Sequence, residues 1–233
     1  MLCGSKPNLR NVWNIQIHDA ILKPVDKQKY LGIKFDSGLS WIYQVSETCR
    51  KMSYYLYLIS SHKHCLSADL IKLLVESLVF SHLSYCLPVW GPPLTQQLLQ
   101  RLERMQNRAV RLCKYLSKFD HVSEHYRQLK WLPLRKLIQL HSVRLMYCQY
   151  HRTKCIPLMP PIEFGPCHSH YDTRTAAYFA NPKRFRLTSS QNFFRFTASQ
   201  WWKNLSTSLH CVIKDKCLKK FYNGYNAYLL SYM

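Results

Sequence analysis

Hydrophobic and polar positions change period once along this chain. Between residues 12 and 36 the apolar side chains come in short alternating runs: Val12, Trp13, Ile15 and Ile17, then Ile21 and Leu22, then Tyr30, Leu31, Ile33 and Phe35. Such runs, with polar residues between them, predict two or three strands joined by turns. From Ser40 onward the apolar residues return every three or four positions, the spacing of a helix with one buried face. Helices are expected over Trp41–Ser60, Ser67–Ser84, Leu94–Lys118, Val122–Lys130, Leu134–His151, Gln191–His210 and Ile213–Leu230. Ser67 with Asp69, and Pro133, supply start signals. Pro88, Pro92 and Pro93 punctuate the loop read after Trp90, and Pro157, Pro160, Pro161 and Pro166 mark the clearest linker. The expected fold is therefore mainly α (α+β): short N-terminal strands, a helical bundle, and a smaller helical C-terminal region. The corresponding segments are 1–39, 40–152, a Pro-rich and basic linker at 153–190, and 191–233.

The helix expected over Leu94–Lys118 carries two stripes. Its apolar set is Leu94, Leu98, Leu102, Met105, Ala109, Leu112 and Leu116; its basic set is Arg101, Arg104, Arg108, Arg111, Lys114 and Lys118. At about 100° per residue the two sets lie roughly a third of a turn apart. Glu103 is the single acid in the segment. A solvated helix usually mixes signs and gains from Glu–Lys pairs one turn apart. A row of one sign suits a polyanion instead, because each neutralised phosphate releases condensed counterions.

Composition strengthens that reading. Lys and Arg number 33 against 12 Asp and Glu, a formal charge of +21. Net charge is +3 over residues 1–40, +1 over 41–100, +8 over 101–150 and +9 over 151–233. The excess is interleaved with apolar residues rather than gathered in a tail, as expected of a folded basic surface. With 47% hydrophobic and 14% aromatic residues the composition is not that of a disordered chain. The N-terminal MLCGSKPNLR has no long apolar run, so no secretory signal is read there. The ten cysteines are accordingly expected as free thiols in a reducing compartment, placing the protein inside the cell, in nucleus or cytoplasm. No membrane span is expected. The most apolar stretch, Leu66 to Trp90, is interrupted by Asp69, Lys72, Glu76 and His82, whereas a bilayer needs about 20 apolar residues.

Catalytic signatures are sparse. The six glycines never cluster into a phosphate-cradling loop, and no two acidic residues are adjacent. His121-Val122-Ser123-Glu124-His125 has the form of an inverted zinc-protease string, but the match is short and eleven histidines make chance matches common. Cys155 with Cys167, His168 and His170, and separately His62, His64 and Cys65, offer zinc-type ligands without a paired C-x-x-C spacing. Polar loop residues and thiols are the simpler account of each, so no metal, catalytic residue or cofactor is assigned. Aromatics beside cations are a further binding signal: Tyr54, Tyr55 and Tyr57 follow Arg50 and Lys51, and Phe185 sits between Arg184 and Arg186. Such aromatics can stack on unpaired bases, although at helical spacing they are more often core.

Six stretches in order resemble one family. KYLGIKFDSGLSW at Lys29–Trp41, YCLPVWG at Tyr85–Gly91, RMQNRAVR at Arg104–Arg111, WLPLRKL at Trp131–Leu137, YDTR at Tyr171–Arg174 and FRFTASQWWKNL at Phe194–Leu205 look like the segment following the palm in reverse transcriptases of non-LTR (LINE-type, jockey-like) retrotransposons. The likeness runs from about Leu2 to Leu230. It implies terminal palm strands leading into a helical thumb, then a basic C-terminal extension. The family's catalytic Tyr/Phe-x-Asp-Asp turn has no counterpart in this sequence, so the resemblance implies a fragment of an RNA-directed DNA polymerase without polymerase activity of its own. Its partners would be RNA or DNA, gripped along the template–primer backbone with little regard to sequence, and the remainder of the polymerase if supplied in trans. The residues expected on the backbone are Arg101, Arg104, Arg108, Arg111, Lys114 and Lys118, with Arg174, Lys183, Arg184 and Arg186 in the basic extension. The alternatives are a helical interaction or scaffold protein, for which the near-heptad spacing of Leu94–Leu116 speaks, and a retroelement relic without function.

Overall fold

The computed structural model describes residues 15–18, 20–22, 25–151, 194–205, 213 and 217–231. Four short strands come first: β1 (Ile15–Ile17) pairs antiparallel with β2 (Ala20–Leu22), and β3 (Lys27–Tyr30) with β4 (Ile33–Asp36). Helices follow: α1 (Ile42–Ser61), α2 (Ala68–Leu74), a π-helical segment Val75–Phe80, α3 (Ser81–Ser84), α4 (Leu87–Trp90), α5 (Gln96–Lys114), α6 (Ser123–Leu129), α7 (Leu134–Tyr150), α8 (Phe194–Lys203) and α9 (Leu218–Ser231). The protein is thus mainly helical behind short N-terminal strands. No helix among the described residues is long and apolar enough to cross a membrane.

The elements gather into two compact units that are discontinuous in sequence. The first holds the described residues up to Leu83 together with Leu94–Cys113; the second holds Ser84–Pro93 and the described residues from Lys114 onward. The division between the units falls inside the segment expected at 40–152, while 153–190 lies outside the described residues. β4 lies against α1, so the strands share a unit with the helix that follows them.

In the first unit, Tyr30 pairs with Ile33, leaving Leu31 and Gly32 as a two-residue turn with φ of 46° and 83°. Two positive φ values make the primed turn whose twist matches a hairpin. Asp36 then joins hairpin to helix. Its carboxylate accepts hydrogen bonds from the backbone N–H of Ser40 at 2.9 Å and of Trp41 at 3.1 Å. Gln44 Oε1 accepts from the Lys34 N–H at 2.9 Å, tying α1 back to β4. Along the next stretch Ile71, Val75, Val79 and Leu83 are all fully buried at a strict four-residue spacing. An α-helix would rotate such a set by about 40° per step; the wider turn of Val75–Phe80 keeps it on one face.

In the second unit, α7 is the central helix and packs against α4, α8 and α9. Tyr147 stacks on Phe221 with ring centroids 4.3 Å apart, and Trp202 adjoins Phe221 at 6.1 Å. Gln139 Nε2 donates to Tyr225 Oη at 2.8 Å. At Gly91 a side chain would not fit: a Cβ would come within 2.6 Å of the Leu87 carbonyl and 3.0 Å of Ile138 Cγ1. That close approach seats α4 on α7, and Trp90 Nε1 donates to the Tyr85 carbonyl at 2.9 Å beside it.

Several expected boundaries move. The helix read as Leu94–Lys118 ends at Lys114, because Tyr115 adopts a left-handed conformation, φ 54°, that an α ladder does not continue. Lys118 is therefore off the helix. Pro88 lies inside short α4 rather than in a loop; at the start of a helix its missing N–H costs nothing. Among the described cysteines, Cys49, Cys65, Cys86, Cys113, Cys148 and Cys217 are free thiols, of which Cys113 and Cys148 are buried and Cys65 is exposed.

Candidate nucleic-acid interface

α5 buries Leu98, Leu102, Gln106, Ala109, Val110 and Cys113, while Met105 and Leu112 are half-buried. The buried spacing averages slightly under four residues, so the true stripe is rotated from the near-heptad set read in the sequence. A 3.5-residue pattern drifts about 20° per heptad on a straight helix. The rotation puts Gln106 inside and leaves Arg101, Arg104 and Arg108 exposed, while Arg111 and Lys114 are half-buried. Among the described residues no ion pair engages Arg101, Arg104 or Arg108. Lys118 is exposed in the turn after α5, where its ammonium lies 5.8 Å from the Phe119 ring. Lys114 and Lys118 fall in the second unit, so the expected row of six divides. Arg174, Lys183, Arg184 and Arg186 lie outside the described residues.

The three exposed arginines do not stand alone. α1 faces α5 in the first unit, where Arg101 Nη1 lies 3.4 Å from Ser46 Oγ and Ser53 Oγ lies 3.2 Å from Met105 Sδ. Between these contacts runs a shallow groove of about 430 Å³. From α1 it is lined by Ser46, Cys49, Arg50 and Ser53, and from α5 by Arg101, Arg104 and Met105. Three guanidiniums and two hydroxyls thus border one concave surface, and all five are hydrogen-bond donors suited to phosphate oxygens. From sequence Arg50 stood only as a cation beside the α1 tyrosines and not among the residues expected on the backbone. The signal for it was the spacing Ser46–Arg50–Ser53, the polar side of the stripe on which α1 buries Val45, Thr48, Met52 and Leu56.

Glu47 sits beside this surface and supplies a local counter-charge. Its carboxylate contacts Arg50 at 2.7 Å and Lys34 at 3.4 Å. The hydrogen bond from Arg50 foremost, with Lys34 adding to it against the cost of partial burial, holds the Glu47 carboxyl down at about 2. Burial pushes the Cys49 thiol upward, opposed by the charge of Arg101, so no thiolate is prepared there.

Comparisons of the chain with family models, curated proteins and solved structures return no match.

The two candidate metal strings that fall among the described residues are not brought together. α6 begins at Ser123, so His121 precedes the helix and its spacing to His125 is not that of two helical neighbours. His125 Nδ1 is instead 3.3 Å from Gln128 Oε1. His62 Nδ1 lies 2.9 Å from the Leu58 carbonyl, which caps α1. Cys155, Cys167, His168 and His170 lie outside the described residues, and among the described ones no three His, Cys, Asp or Glu side chains are grouped to hold a metal. Of the aromatics near cations, Tyr54 and Tyr57 are 58% and 64% exposed, which is unusual for tyrosines in the interior of a packed helix.

Proposed function

We propose that this chain is a nucleic-acid-binding part of a retroelement RNA-directed DNA polymerase of the non-LTR type, one that grips the template–primer backbone and does not itself polymerise. The observation that carries this reading is the trio Arg101, Arg104 and Arg108, exposed one turn apart on α5 and joined by Arg50 across a groove. Cations in that arrangement neutralise successive phosphates and position a strand without reading its bases. Serine hydroxyls beside them supply neutral donors to the same oxygens. The ordered series of motifs from Lys29 to Leu205 supports the polymerase assignment, and the absence of any adjacent pair of acids in the sequence supports the inactive part of it.

The test is the salt dependence of binding to a primer–template duplex of mixed sequence. The logarithm of affinity falls linearly with the logarithm of salt, with a slope equivalent to about four to six phosphate contacts. A flat salt response overturns the reading. Primer extension with magnesium and four nucleotides gives no product; incorporation by this chain contradicts the assignment of a non-catalytic part.

A further inference from the structure

We propose that the groove between α1 and α5 takes a strand with unpaired bases, one of which stacks on Tyr57 with Tyr54 beside it. This deepens the nucleic-acid reading above and rests on it. The placement comes from the helix itself. Ser46, Arg50 and Ser53 line the groove from α1, and Tyr57 is four residues beyond Ser53. At about 100° per residue it falls on the same face, within some 40° of each of the three. The two contacts between the helices advance in the same direction along both, Ser46 with Arg101 and then Ser53 with Met105. Tyr57 on α1 and Arg108 on α5, each about one turn further along, therefore continue the groove past Met105.

Tyr57 has the features of a platform rather than of core. It is 64% exposed, and no ring contact engages it among the described residues. Tyr54 is 58% exposed and braced edge-on by Tyr55 at 5.4 Å, with Tyr55 in turn stacked on His82 at 5.3 Å. A base offered by a single strand or an overhang meets an open aromatic face, while Arg50, Arg101, Arg104 and Arg108 hold the flanking phosphates. A fully paired duplex buries its base faces and gains nothing from a tyrosine. Charge complementarity selects the occupant: an apolar protein partner would have to desolvate exposed guanidiniums around the same tyrosines.

The experiment compares the full chain with Tyr57→Ala, Tyr57→Phe and Arg101→Ala/Arg104→Ala, using a labelled single-stranded oligonucleotide and an abasic strand of equal length. Tyr57→Ala weakens binding of the normal strand about tenfold and leaves the abasic strand unchanged. Tyr57→Phe keeps the stacking face and binds like the parent. If normal and abasic strands bind the parent equally, or Tyr57→Ala has no effect while the arginine variant loses binding, the stacking proposal is overturned and the backbone grip survives. If neither strand binds the parent, both fall. Thermal melts confirm that the exposed tyrosine variants stay folded.

Discussion

α5 and α7 are nearly matched in length, 19 and 17 residues, and both carry several cations, yet they do different work. α7 buries Leu134, Ile138, Leu140, Ser142, Val143, Met146, Tyr147 and Cys148, which on a helical wheel fall on nearly every side. Of its two exposed cations, Arg135 and Arg144, the latter has its guanidinium 5.5 Å from the Tyr222 ring and so serves packing. The six buried residues of α5 fall within an arc of about 120°. The remaining two thirds of its circumference is exposed or half-buried, and the arginines occupy the part beside the groove. A count of basic residues does not separate the two helices. What separates them is how much of each circumference the core consumes, because a cation serves a ligand only where packing has left it free.

The largest effect tests the structural side of the contrast. Trp202 is buried against the aromatic stack around α7, so Trp202→Ala costs about 3–5 kcal/mol of stability and is measured by thermal or denaturant unfolding. If the variant melts with the parent, α7 is not the core helix described here. Next comes Gly91→Ala, whose Cβ would meet the Leu87 carbonyl at 2.6 Å. Backbone has to move, and a loss of about 1–3 kcal/mol follows; an unchanged melting temperature refutes the close approach of α4 to α7.

The binding side responds to charge and not to packing. Arg104→Glu with Arg108→Glu lowers oligonucleotide affinity at least about tenfold near 0.1 M salt. It shifts stability by no more than about 0.5 kcal/mol, since both side chains are exposed. Unfolding of this double variant would mean that α5 uses its basic face for packing, as α7 does.

The same contrast explains what the sequence revealed. Helices with a clear period, α1, α5, α6 and α7, lie within a few residues of where their spacing predicts, because burying one face decides both. The exact face of α5 was not legible: Met105 and Leu112 look like core, and only the straight helix in its setting shows that Gln106 takes that place. The motif strings hold up the fold more than they announce chemistry. In Lys29–Trp41, Gly32 makes the hairpin turn, Asp36 caps the approach to α1, and Trp41 packs on Phe35 at 5.3 Å. In Tyr85–Gly91, Gly91 admits the close approach of α7. In Trp131–Leu137, Trp131 and Leu134 are buried around Pro133. Arg104–Arg111 places two exposed arginines, Arg104 and Arg108, beside buried Gln106, Ala109 and Val110. The groove itself could not be read locally, since Arg50 and Arg101 are 51 positions apart in sequence and border it from different helices.

The smallest effect concerns the acid beside that groove. Arg50 holds the Glu47 carboxyl at about 2 against an ordinary value of 4.5. A folded-state pKa below the unfolded one means stabilisation that is present above about pH 4.5 and is lost as pH falls toward 2. Glu47 is half-buried but Arg50 is open to solvent, so screening leaves the pair only a small share of the stability. Thermal melts of the parent should therefore fall slightly more steeply over that acid range than those of Glu47→Gln. Binding gives the more telling readout. Glu47 competes with phosphate for Arg50 and Lys34, so Glu47→Gln near neutral pH raises oligonucleotide affinity about two- to threefold, a gain that added salt diminishes. Lower affinity in that variant would show that the carboxylate orients Arg50 for its ligand, and the electrostatic account of the groove would then have to begin from a preorganised Glu47–Arg50 pair.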